Sequence, residues 1–153
     1  MGFFDGYNVA TSGMSAQRTR INVVSTNIAN AKTTHTVEGG PYKKQQVVFE
    51  DILAASNKKT NANDIETSNN LKSDLALRSV GVKSIVQSDA KPVMKYDPTH
   101  PDANEQGYVA YPDINPVIEM VDLIEAMRSY EANVASFNAH KNIDSKTLDI
   151  LNM

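Results

Sequence analysis

Both ends of the chain carry a heptad seam, and few features restrict a fold as strongly. Positions 3, 7, 10, 14, 17, 21, 24, 28 and 31 read Phe3, Tyr7, Ala10, Met14, Gln17, Ile21, Val24, Ile28 and Ala31. Eight of these nine are hydrophobic, whereas the 41% hydrophobic content of the chain would supply about four. The spacing alternates between four and three, the period of a coiled-coil a/d seam. A helix over this stretch would run about 40 Å. The C-terminal segment repeats the pattern with Met120, Leu123, Met127, Tyr130, Val134, Phe137, Leu148 and Leu151, broken at Lys141 and Asp144. Its start is well marked. Asn115 can cap, Pro116 suits the first helical position, and Glu119 and Asp122 complement the positive end of the helix dipole. This second helix would reach about 50 Å.

Between the seams the pattern changes. Turn residues in "GGPYKKQQVVF" precede a strand-like Val47-Val48-Phe49, and "LALRSVGVKSIVQSD", "KPVMKY" and "GYVAY" read as further strands. "DPTHPDANEQG" is a turn-rich connection between the last two. Residues 56–74 hold few large apolar side chains and read as a mobile loop. The expected fold class is therefore α+β. A coiled-coil helix over 1–34 pairs with another over 116–153, and a small β-rich outer domain occupies 35–115. A central domain of that size cannot bury both seams. Gly6 and Gly13 each cost about 1 kcal/mol inside a helix, so the helices are expected to become fully ordered on assembly.

Chemistry finds little to work with. The chain has no cysteine, which excludes disulfides, thiol catalysis and cysteine-bound metals. His35, His100 and His140 have no companion at metal-ligand spacing, and "DPTHPDANEQG" lacks the spacing of a calcium loop. No nucleophile motif or phosphate loop occurs, so neither a catalytic residue nor a cofactor is expected. A net charge of −3 and the lack of a basic run argue against nucleic acid. No stretch is apolar enough for a membrane span. The opening "MGFFDGYNVATSG" lacks the basic and apolar regions of a cleaved secretion signal, so export would need another route.

"STNIANAKTT" places Asn27 beside the first seam and Asn30 on its outer side, with Ile28 and Ala31 in the seam. Asparagine is a poor interior helix residue because its amide competes for backbone hydrogen bonds. Asn30 with Thr33 and Thr34 reads as a helix end. Asn27 could bond a neighbouring helix to fix register, or face water.

The element Asn27-Ile28-Ala29-Asn30, followed by small and hydroxyl residues, resembles the N-terminal signature of the bacterial flagellar rod and hook axial proteins. Tyr130-Glu131-Ala132-Asn133, within a long C-terminal helix, resembles the matching signature, and the central stretches resemble a proximal-rod member. The resemblance implies a structural, non-enzymatic subunit of a hollow periplasmic rod. Its partners would be copies of itself, other flagellar rod proteins and the flagellar type III export apparatus, which needs no cleaved signal. A different rod or hook component is the alternative. Ser129, Asn133, Ser136 and His140 recur at 4-3-4 spacing on the C-terminal helix, and this polar strip is expected to face the channel of the tube.

Overall fold

A computed structural model describes residues 5–53 and 78–151. Phe3 and the loop 56–74 lie outside the described residues, as does the side chain of Leu151. The elements run α1 (Asp5–Ala29), β1 (Gln45–Leu53), β2 (Arg78–Gln87), β3 (Val93–Tyr96), β4 (Tyr108–Tyr111) and α2 (Pro116–Leu151). The fold is α+β: two long terminal helices pair with each other, and antiparallel strands lie between them in sequence.

Local chemistry sets the helix ends. Asn115 Oδ1 accepts the Val117 amide at 3.0 Å, which caps α2, and Pro116 takes the first position, where a missing N–H costs nothing. At the end of α1 the Asn30 side-chain amide donates to Thr26 O at 2.9 Å, and Thr33 Oγ1 donates back to Asn30 Oδ1 at 3.1 Å. Asn30 thus satisfies a terminal carbonyl and turns the chain out of the helix.

The two helices run antiparallel. Gly6 lies opposite His140, Gly13 opposite Asn133, Arg20 opposite Asp122 and Glu125, and Asn27 opposite Glu119. On α1 these are heptad steps, but the line they trace is one residue away from the expected seam at alternate positions. Ala10 and Val24 are buried as that seam requires, while Tyr7, Met14, Ile21, Ile28 and Ala31 are half-buried beside the contact line. Close approach explains the offset. A Cβ on Gly13 would stand 2.8 Å from Asn133 Nδ2, so the glycines bring the backbones together and the larger apolar side chains must flank them. On α2, Leu123, Tyr130, Val134 and Phe137 are half-buried, whereas Met120, Met127 and Leu148 remain exposed.

The strands form two separate antiparallel ribbons, β1–β2 and β3–β4, and not one sheet. The register of β1–β2 shifts between Val48 and Phe49, where Lys83 is the extra residue on β2. This ribbon lies along α1. The second ribbon is closed by the turn after Tyr96. There Asn104 Oδ1 accepts the amides of Gln106 and Tyr108 at 3.0 and 2.8 Å, and Gly107 adopts φ of 80°, a conformation that side chains resist. A bond of 2.7 Å from Thr34 Oγ1 to Asp102 Oδ2 ties that turn to the segment after α1. The buried hydrophobic side chains among the described residues are Ala10, Ala16, Val23, Val24, Val109 and Ala126. All are small, so the apolar core of one chain is thin.

Candidate assembly site

Three chain segments meet at one amide. Asn27 is 1% exposed, and its side chain makes four hydrogen bonds. Nδ2 donates to Gln45 O at 2.8 Å and to Glu119 Oε2 at 3.1 Å. Oδ1 accepts from Gln45 N at 2.9 Å and from the Tyr42 hydroxyl at 3.1 Å. Both donors and both acceptor sites of the carboxamide are thereby used. The paired bonds to Gln45 copy the exchange between neighbouring strands, so Asn27 starts β1 as a strand partner would. Of the two alternatives its sequence context left open, Asn27 takes the first: through Glu119 it bonds the neighbouring helix α2, and it is not exposed to water. Its partners lie within its own chain.

Glu119 completes this polar knot. It is 1% exposed, and Lys44 Nζ approaches Oε1 to 2.5 Å. No aligned donor reaches Oε1, so the contact is an ion pair without hydrogen-bond alignment. A buried carboxylate needs such a partner to offset desolvation. Burial raises the Tyr42 phenol above its usual value, and the charge of Glu119 adds to that shift. Beside the knot, a half-open groove of ≈350 Å³ has Val23, Val24 and Phe49 as its apolar part and Arg20 and Asp122 at its rim. Arg20 reaches Asp122 at 3.7 Å and Glu125 at 3.9 Å.

The far end of the helix pair is aromatic. The Tyr7 hydroxyl donates to Asp144 Oδ2 at 2.5 Å, and its ring meets Phe137 edge-on at 5.0 Å. The bond to Asp144, then burial, then the charge of Asp144 raise the Tyr7 pKa. Asp144, a break in the C-terminal seam by hydropathy, thus contacts α1 through its carboxylate.

The four polar residues expected to form one channel strip divide. Asn133 and His140 lie against Gly13 and Gly6 of α1, Ser129 is half-buried, and Ser136 is exposed. The helices draw together over the glycines, and Asn133 is half-buried there, while His140 stays exposed beside Gly6. Of the signature residues, Asn27 is in the knot, Ile28 flanks the helix contact, and Asn30 ends α1, while Ala29 is exposed. Tyr130 and Asn133 are half-buried on the side of α2 that meets α1, while Glu131 and Ala132 are exposed.

Away from α1, α2 is apolar and open to solvent: Val117, Ile118, Met120, Val121, Ile124 and Met127 are all exposed, Val117 by 68%. Exposed apolar area of this kind marks a surface that another molecule covers. Tyr42, Lys44 and Gln45 had no signal in the sequence. Glu119 had one, an acid in the first turn of a helix, for which dipole complementarity is a sufficient reason in the sequence alone. Among the described residues no group of three potential metal ligands comes together, and no helix is long and apolar enough to cross a membrane.

Known proteins resemble this chain along nearly its whole length. Residues 8–34 match the family described as "Flagella basal body rod protein", and residues 105–150 match "Flagellar basal body rod FlgEFG protein C-terminal". The chain is 38% identical over 156 residues to the flagellar basal-body rod protein FlgC of Borreliella burgdorferi, with 99% of each chain covered. It is 40% identical to FlgC of Bacillus subtilis, over 96% of this chain and 97% of that one. Identity to FlgC of Salmonella typhimurium is 33%, over 98% of each.

Proposed function

The chain belongs to the FlgC-type flagellar basal-body rod proteins and is a structural rod subunit, and from that premise we propose that it occupies the proximal rod. In this reading copies of the chain join head to tail with one another and with other rod proteins. The resulting tube crosses the periplasm, transmits torque and encloses the export channel. The subunit reaches its place through the flagellar type III export apparatus, without signal cleavage, and works with no cofactor and no catalytic group.

The observation that carries this reading is the unpartnered apolar side of α2, together with the thin core of the single chain. A chain whose buried hydrophobic residues, among those described, are small and whose long helix face is open gains much of its hydrophobic stabilisation by association. Two variants test it in the bacterium that encodes the chain. Ile21→Asp and Val134→Asp each put a charge on a half-buried flank of the helix pair, at a cost of several kcal/mol. Both are expected to abolish swimming and to leave basal bodies without a rod in electron micrographs. Normal motility with either variant would overturn the assembly reading.

A further inference from the structure

Two ribbons of two strands have four outer edges, and local features guard two of them. Lys83, the extra residue of β2, puts a bulge and a charge on that strand. On β4 the amide and carbonyl of Tyr108 are already taken by Asn104. The edges of β1 and β3 stay open. Asn27 bonds Gln45 N and O from outside β1, and alternation gives Val47, Phe49 and Asp51 the same outward direction. Among the described residues β2 is the one strand neighbour of β1, and β4 the one strand neighbour of β3. The groove of ≈350 Å³ beside the knot runs along the β1 edge, with Gln45, Val47 and Phe49 in its wall. On β3, the bond from Asp97 N to Gly107 O sets the alternation, which turns the backbone groups of Met94 and Tyr96 away from β4. We infer that β3 of a second copy of this chain adds antiparallel to the outer edge of β1.

One register fits. Val47 pairs with Tyr96 of the partner subunit and Phe49 with Met94 of the partner subunit, so apolar side chains meet on the groove face. On the other face Val48 lies opposite Lys95 of the partner subunit. Glu50, opposite Val93 of the partner subunit, is flanked diagonally by Lys91 and Lys95 of the partner subunit. Glu50, Lys91 and Lys95 are all exposed, and none is in an ion pair among the described residues. Sliding the added strand two residues toward Gln45 would collide with Asn27, which already holds that position. Sliding it two residues the other way would bring Lys95 opposite Glu50. It would also set Met94 against charged Asp51 and give Val47 only Pro98, which has no N–H and lies past the end of β3. Two-stranded ribbons are marginal alone, and this pairing joins two of them into four strands in the order β2-β1-β3-β4. The contact uses different edges on the two copies, so it repeats from copy to copy without closing on itself. It rests on the rod reading and names one surface through which head-to-tail order is made.

Cross-linking in isolated basal bodies tests it, since the chain has no native cysteine. Val48 and Lys95 would form a non-hydrogen-bonded pair with Cα atoms about 4.5 Å apart, within reach of a disulfide. Basal bodies carrying the full-length Val48→Cys/Lys95→Cys chain are oxidised and run on a non-reducing gel. Multimers of the chain larger than dimers are expected, and none from either single variant. Basal bodies that hold the double variant but yield no multimers, or dimers alone, overturn the contact and leave the rod reading intact. Basal bodies purified without the wild-type chain overturn the rod reading and the contact with it. Met94→Pro supplies the second measurement. It removes an N–H that β4 does not use, a change that an edge facing solvent tolerates. Complete rods per cell are expected to fall at least about tenfold if that edge is paired. Met94→Val keeps the N–H and an apolar side chain and is expected to swim as wild type does. Normal swimming with Met94→Pro, or equal loss with Met94→Val, overturns the proposal.

Discussion

At the scale of single residues, Asn27 carries more than any other side chain described. An alanine there would leave Gln45 N and O, the Tyr42 hydroxyl and Glu119 Oε2 without their partner in a buried setting. Several unsatisfied groups at once make Asn27→Ala destabilising by about 3 kcal/mol, read from urea unfolding of the purified chain. Asn27→Asp should be worse than alanine, since it replaces the donor facing Glu119 with a second acceptor. The sequence marked Asn27 as unusual, because an amide inside a helical pattern needs a reason. It did not reveal which reason. The partners are Gln45, 18 residues away, and Glu119, 92 residues away, and no local spacing connects them.

Among the elements, the helices and strands were legible because each follows a local rule. Asn115 and Pro116 announced α2, and the apolar runs around Val47 and Val109 announced β1 and β4. The line along which α1 meets α2 was not legible. Hydropathy finds an apolar stripe, but it cannot tell the centre of a contact from its flank. Gly13 decides the matter by letting Asn133 sit over its backbone. Gly13→Leu is accordingly expected to push the helices apart and cost about 2 kcal/mol, despite leucine's better helix propensity. The helical circular dichroism signal, followed through a thermal melt, measures the loss.

For the whole molecule, the thin core sets the stability. With Ala10, Ala16, Val23, Val24, Val109 and Ala126 as its buried hydrophobic residues, the described chain gains little from burial. Unfolding of the dilute chain in urea is expected to give no more than about 5 kcal/mol, the lower end for natural domains. Such a chain can be opened cheaply and closed again where neighbours cover it. The polar knot has one more consequence, and it is mechanical. A pull on the ribbon along β1 reaches the helices through the Asn27 carboxamide, whose bonds to Gln45, Tyr42 and Glu119 all bear on one group. Those bonds are strained together, as in a rivet under shear, and do not give way one after another as in a peeled seam. The end of the helix pair that holds the ribbon is thus the end that takes this load first.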